Sequence, residues 1–154
     1  MQIAGTGRFV FVAQWVAAVV LPVFFFVGRA FVGAEAGWLA VFGIVYGIFL
    51  ILILLVPPLI TLFDRAVRTG RRTRRVYDIA SFVLWASIVL AGLTVPDAGD
   101  GPSLDSALTV WTGGAIGQEA SAVIFSIAGA IAGLAYLGTL VFAIAGVAKG
   151  RPEN

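Results

Sequence analysis

Apolar residues are concentrated in four long runs that short polar segments separate. The runs cover Phe9–Gly28, Trp38–Phe63, Val76–Val95 and Ala120–Ala148. A helix needs about 20 apolar residues to cross a hydrocarbon core of roughly 30 Å, and each run is long enough. The pattern therefore predicts an all-α integral membrane protein: a single domain, residues 1–154, that forms a four-transmembrane-helix bundle.

The polar segments add two local predictions. Residues 64–75 form a short basic loop between the second and third runs, and residues 96–119 form a longer loop before the fourth run. In the longer loop, apolar residues recur with helical spacing at Leu104, Ala107, Leu108 and Trp111. Ser103 precedes them as a candidate N-cap, so we expect a short helix that lies in the membrane interface or over the mouth of the bundle.

Composition restricts the class of protein and its chemistry. Hydrophobic residues make up 60% of the chain and charged residues 12%, which leaves too little polar surface for a soluble domain of 154 residues. The chain has no Cys and no His, which excludes thiol chemistry, disulfide bonds and thiolate or imidazole metal sites. We therefore expect no enzymatic activity, no catalytic residue, no cofactor and no metal site. The preference for Arg over Lys fits a GC-rich bacterial genome, so we expect a multi-pass protein of the bacterial cytoplasmic (inner) membrane.

Basic residues fall almost entirely on one side of the predicted helices. With the N-terminus in the cytoplasm, nine of the ten lie inside, and Arg29 alone lies outside. Short cytoplasmic loops of membrane proteins carry an excess of Lys and Arg. Five acidic residues fall in the outer segments: Glu35, Asp97, Asp100, Asp105 and Glu119. The charges therefore predict an up-down-up-down bundle that is N-in/C-in, with both termini in the cytoplasm.

The first run also allows a second interpretation. Met1–Arg8 carries one charge, an apolar run follows, and Ala34-Glu35-Ala36 has the small residues of a signal-peptidase site. Cleavage there would leave three helices that still obey the charge rule. Residues 9–27 are longer than the apolar core of a signal peptide, which has about 7–15 residues. We therefore expect the first helix to be retained.

Six arginines occur within the basic loop: Arg65, Arg68, Arg71, Arg72, Arg74 and Arg75. Two roles stay open for them. They hold the loop in the cytoplasm and contact anionic lipids, each adding about 1 kcal/mol near the surface, or they bind a specific partner. Nucleic acid is not an expected partner, because neither interleaved aromatic residues nor a recognised fold accompanies the cluster. Asp78 lies one turn after Arg74 and Arg75, and we expect a salt bridge with one of them.

Two G-x-x-x-G motifs predict helix packing. Gly43 and Gly47 form one on the second helix, and Gly129 and Gly133 form the other on the fourth. Small residues let helix backbones approach closely in a membrane. A second small face of the fourth helix consists of Ala128, Ala132 and Ala135. These two faces predict a central fourth helix that has neighbours on more than one side, and they leave open a homodimer contact through either glycine motif.

Few polar side chains lie inside the predicted helices, and they define the functional alternatives. Gln14, Ser81, Ser126 and Thr139 would form one polar lining if they converged. Such a lining would favour a small oligomeric transporter or channel, whereas isolated hydrogen bonds between helices would not. Because nothing in the sequence indicates a reaction, we expect a non-enzymatic accessory or scaffolding subunit of a membrane assembly.

Overall fold

The computed structural model describes residues 2–101 and 103–149, and this part of the chain is helical with short connections. Its helices are α1 (Gly7–Phe26), a 3-10 helix (Gly28–Val32), α2 (Trp38–Thr61), α3 (Arg65–Gly70), α4 (Arg75–Thr94), α5 (Ala107–Trp111) and α6 (Gln118–Lys149). Within the described residues, α1, α2, α4 and α6 are long and apolar enough to cross a membrane. These are the four helices predicted from the apolar runs, and their ends differ from the predicted ones by no more than two residues.

The four long helices pack around a common apolar core. Helix α1 contacts α2 and α4, helix α6 contacts α2 and α4, and the contact between α4 and α6 is the most extensive. The core contains side chains from all four helices: Ala18, Leu21, Leu54, Leu84, Ile88 and Ala135. Each connecting segment therefore lies at one end of the bundle.

The bundle has two chemically different ends. At the basic end, the start of α1 meets the segment before α4, where the Ala4 amide donates to the Thr73 carbonyl oxygen at 3.1 Å. The ends of α2 and α6 lie at the same place. At the acidic end, the 3-10 helix and the start of α2 meet the end of α4, while Ser121 near the start of α6 donates to the carbonyl oxygen of Thr94 at 2.8 Å.

The helix at the centre of the bundle is α4, not the predicted α6. In the most apolar window of each helix, 50% of the α4 residues are buried, against 22% for α6 and 11% for α2. The physical reason is the distribution of polar groups. Tyr77, Asp78 and Ser81 lie in the first two turns of α4, and all three are buried. A lipid-facing position would leave their polar groups without hydrogen-bond partners.

The longer loop folds over the acidic end of the bundle. Helix α5 contacts α4, α6 and the 3-10 helix, and its first residue, Ala107, is fully buried. The N-cap is Ser106 rather than the predicted Ser103: its side-chain oxygen accepts from the Thr109 amide. The difference arises because the Ser103 hydroxyl donates to Gln118 Oε1 at 2.8 Å, which ties the loop to the start of α6.

Candidate functional site

A buried ion pair closes the basic end. Asp64 and Arg74 are joined by a contact of 2.7 Å between Oδ2 and Nε, and their side chains are 2% and 10% exposed. The other oxygen of Asp64 accepts from the Ala66 amide at 3.0 Å and so caps α3. The ion pair fits against α6 because Gly146 has no side chain. A Cβ atom there would lie 2.8 Å from Asp64 Oδ2. Arg74 is one of the six arginines predicted to contact anionic lipid or a partner, and in the structure it is buried.

A second buried carboxylate fixes the start of α1. Asp78 is 2% exposed, and it accepts hydrogen bonds from the hydroxyls of Thr73 and Thr6, the latter at 2.7 Å. The Thr73 hydroxyl oxygen also lies 3.0 Å from the carbonyl oxygen of Gly7, so that its single proton is shared between this carbonyl and Asp78. The sequence predicted a salt bridge between Asp78 and Arg74 or Arg75. Hydroxyl donors hold Asp78 in the structure, and the carboxylate that pairs with Arg74 is Asp64.

The remaining cations of the basic end form an exposed surface. It consists of Arg8, Arg65, Arg68, Arg71, Arg72, Arg75 and Lys149. The carboxylates described at this end, Asp64 and Asp78, are both buried. The basic surface therefore carries seven positive charges. None of the carboxylates that the structure describes at this end is exposed.

At the acidic end, sequence reasoning missed a buried ion pair. Arg29 is 1% exposed and pairs with Asp97, with 2.9 Å between Nη2 and Oδ2. Arg29 Nη1 also donates to the carbonyl oxygen of Val95 at 2.5 Å. Burial lowers the pKa of the guanidinium group from its usual value, and the charge of Asp97 opposes this effect. An arginine stays ionised in such a setting, so its charge needs this partner.

Asp97 also caps the second membrane-spanning helix. Its Oδ2 accepts from the Gly37 amide at 3.0 Å, and its Oδ1 accepts from the amides of Leu39 at 3.0 Å and Ala98 at 2.8 Å. A carboxylate at a helix N-terminus satisfies free N–H groups and complements the helix dipole. One side chain thus joins the segment before α2 to the segment after α4. The sequence signal was present: Arg29 directly follows the first apolar run, and Asp97 lies two residues after the third.

The buried pairs leave a complete separation of the exposed charges. At the acidic end the exposed charged residues are Glu35, Asp100, Asp105 and Glu119. The cation described there, Arg29, is buried. In the described part of the chain, every exposed cation therefore lies at the basic end and every exposed anion at the acidic end.

Three of the four predicted lining residues converge inside the bundle. Gln14, Ser81 and Thr139 line a cavity of about 20 Å³ together with Tyr77, which is enough for about one water molecule. The Tyr77 hydroxyl donates to Gln14 Oε1 at 2.8 Å, which joins α1 to α4. Ser126 does not belong to this cluster, because it is exposed on α6 and donates within its own helix.

The two glycine motifs have different surroundings. Gly43 and Gly47 lie against Phe26 of α1, and a Cβ atom on Gly43 would be 2.5 Å from that of Phe26. At Gly129 and Gly133, no atom of the described chain outside the adjoining stretch of α6 lies within 4 Å of an added Cβ. The prediction that these two glycines pack within the bundle is therefore not what the structure shows. Helix α6 packs through its other small face, in which Ala128 is 1% exposed. Both faces of α6 consist of small residues, so the sequence alone could not show which of them packs inside the bundle.

The fold and these contacts define the class: a multi-pass membrane protein with four candidate membrane-spanning helices. Comparison with protein-family models, curated proteins and solved structures gives no match. The functional interpretation therefore depends on the geometry of this chain alone.

Proposed function

We propose that this protein is a non-enzymatic accessory or scaffolding subunit of an assembly in the bacterial cytoplasmic membrane. The observation that supports this role is the closed interior of the bundle. In the part of the chain that the structure describes, every buried side-chain nitrogen and oxygen has a hydrogen-bond partner. A protein whose buried polar groups are all bonded internally offers its outer faces, rather than its interior, to other molecules.

For the orientation, we propose the up-down-up-down, N-in/C-in arrangement with the basic end in the cytoplasm and α5 near the outer interface. The seven exposed cations of the basic surface support it, since Lys and Arg near helix ends favour the cytoplasmic side. The burial of Arg29 adds a second argument. The one basic residue of the acidic end is neutralised by Asp97, so it does not oppose the rule.

The orientation can be tested by cysteine labelling, because the chain has no Cys of its own. Ser103 lies at the acidic end and Thr69 at the basic end, and both are exposed. We expect Ser103→Cys to react with a membrane-impermeant maleimide in intact cells, whereas Thr69→Cys should react only after the cells are opened. Reaction of Thr69→Cys alone in intact cells would reverse the proposed orientation.

The basic surface also supports an interaction with anionic lipids at the cytoplasmic face. Five of the six arginines predicted for this role are exposed: Arg65, Arg68, Arg71, Arg72 and Arg75. Each cation near an anionic surface adds about 1 kcal/mol of attraction, screened over about 8 Å at physiological salt. This interaction would hold the basic loop at the headgroups while the outer faces of the helices stay free for protein partners.

A partner helix, from another protein or from a second copy, would find room for close approach beside α6. Gly129 and Gly133 are open there, and small residues permit close helix approach in a membrane. We expect the double variant Gly129→Leu, Gly133→Leu to fold with a free energy of unfolding within about 0.5 kcal/mol of the parent, because the new side chains meet open space. The same variant should lose the partner that the tagged parent protein retains in mild detergent.

The matched control places the same substitution in the other motif. Gly43→Leu should lower the free energy of unfolding by about 1–3 kcal/mol, because Phe26 already occupies the space. Thermal unfolding and chemical crosslinking would be measured on both variants. Retention of the same partners by the double variant would remove α6 as the docking face, and a clear loss of its stability would show that the glycine face is packed after all.

The alternative function, a small oligomeric transporter or channel, has one observation in its favour. Gln14, Ser81 and Thr139 come from three different helices and surround the same cavity. At about 20 Å³ the cavity holds about one water molecule, so a pathway would need the helices to separate. Reaction of Ser81→Cys in the membrane with a small water-soluble thiol reagent would favour the pathway, and complete protection would favour the closed scaffold.

A further inference from the structure

A shallow apolar groove runs along the outward side of α1. Its volume is about 780 Å³, and it is lined by α1 residues from Arg8 to Leu21 together with Trp85 of α4. Exposed Phe9, Val16 and Val20 contribute to the lining. The half-buried Ala13 and Ala17 leave the space between this ridge and Trp85. The groove is thus a feature of the surface that faces the hydrocarbon.

The groove has the length of one leaflet. From residue 8 to residue 21 a helix rises about 20 Å. Half of a hydrocarbon core is about 15 Å thick, to which the headgroup region adds a few ångströms. The groove begins at the basic end, at the level of Arg8, and ends at Leu21 in the last third of α1, while Trp85 lies near the middle of α4. A partner helix would have to cross the whole core, whereas an acyl chain ends at the midplane.

The mouth of the groove carries positive charge. Arg8 lines the groove and is exposed. Arg72 is also exposed, and its Cβ lies 3.3 Å from the position that a Cβ would take on Gly7, the residue before Arg8. Thr6, the N-cap residue of α1, makes no side-chain cap, since its hydroxyl donates to Asp78. The two guanidinium groups therefore supply the positive charge of the mouth, and the carboxylate of Asp78 beside them is buried.

We propose that one anionic phospholipid from the leaflet at the basic end occupies this groove. Its phosphate would lie at Arg8 and Arg72, and one of its acyl chains would extend along α1 past Trp85. The groove supplies the apolar contact and the mouth supplies the preference for an anionic headgroup. This site rests on the membrane embedding but not on the proposed scaffolding role, and it differs from the general attraction of the basic surface in having one defined position.

The test uses the full chain in vesicles of phosphatidylcholine that contain a minor fraction of phosphatidylglycerol. Either lipid carries bromine on its acyl chains, which quenches nearby tryptophan fluorescence, and the contribution of Trp85 is the difference between the parent and Trp85→Phe. Brominated phosphatidylglycerol should quench Trp85 several-fold more than an equal amount of brominated phosphatidylcholine. Arg8→Gln should reduce this preference about fivefold, the effect of one cation near an anionic surface.

Two matched controls separate the groove from the surface around it. Arg65→Gln removes an exposed charge of the same end from a position outside the groove, and it should keep the preference. Ala13→Phe fills the groove and should abolish the preference, whereas Ala86→Phe, at an exposed alanine of α4 outside the groove, should not. If Ala13→Phe fails to fold, the comparison of Arg8→Gln with Arg65→Gln still shows whether the lipid preference belongs to the groove or to the whole basic surface.

Three results would overturn the proposal. Equal quenching by the two brominated lipids would mean that bulk lipid fills the groove without selection. An equal loss in Arg8→Gln and Arg65→Gln would assign the preference to the basic surface as a whole. Absence of quenching by either lipid would mean that protein, such as a second copy of the chain, covers Trp85.

Discussion

Asp97→Asn is expected to lower the free energy of unfolding by about 3–5 kcal/mol, the largest effect of any single substitution considered for this chain. Both oxygens of Asp97 accept from donors: Arg29 and Gly37 on one, Leu39 and Ala98 on the other. An asparagine would place an NH2 group against donors whichever way its amide turned. It would also leave the Arg29 charge buried without its carboxylate.

The effect can be measured as a thermal or denaturant unfolding midpoint in mixed micelles. Asp100→Asn is the matched control: it makes the same chemical change three residues later, where the side chain is exposed, and it should shift the midpoint little. A double variant, Asp97→Asn with Arg29→Gln, should be less destabilised than the sum of its parts, since the buried charge is gone. Equal stability of Asp97→Asn and Asp100→Asn would contradict the role given to the buried pair.

Asp64→Asn is expected to destabilise the basic end by about 3 kcal/mol. One oxygen of Asp64 pairs with Arg74 and the other caps α3 through Ala66, so an amide again turns a donor toward a donor. Removing one partner of a buried ion pair costs about 3–5 kcal/mol. We expect the lower end of this range because the Arg74 side chain is 10% exposed and keeps some contact with solvent. Unfolding in detergent, followed by circular dichroism, measures the change.

Arg65→Gln provides the comparison for this second substitution. Arg65 begins α3 directly after Asp64, is exposed, and should contribute less than about 0.5 kcal/mol. Gly146→Ala offers an independent route to the same pair, because its Cβ would lie 2.8 Å from Asp64 Oδ2. If Gly146→Ala and Asp64→Asn both unfolded like the parent protein, the ion pair would have no measurable share in holding the end closed.

Sequence reasoning located the four long helices because the membrane imposes a length and a polarity on them. It was less successful where several residues of the same type compete for one position. Six arginines lie in the basic loop, and the one that is buried is the one that meets Asp64 beside Gly146, which is 72 residues further along the chain. That choice depends on how α4 and α6 pack, which the local pattern does not contain.

The same limitation explains the two small faces of α6. The glycine face and the alanine face satisfy the same rule for close packing, and only the positions of the neighbouring helices distinguish them. A better indication was the polar content of the third run. Because Tyr77, Asp78 and Ser81 need protein partners inside a membrane, that helix was the stronger choice for the centre of the bundle.

The separation of exposed charges makes the molecule a permanent electric dipole along its helix axes. A membrane potential acts on such a dipole with about 2.3 kcal/mol for each elementary charge and each 100 mV. For seven cations at one end and four anions at the other, exchanging the two ends across a potential of 100 mV would change the energy by about 25 kcal/mol. A potential that is negative on the side of the basic end therefore holds the inserted protein in place, without any contact to another molecule.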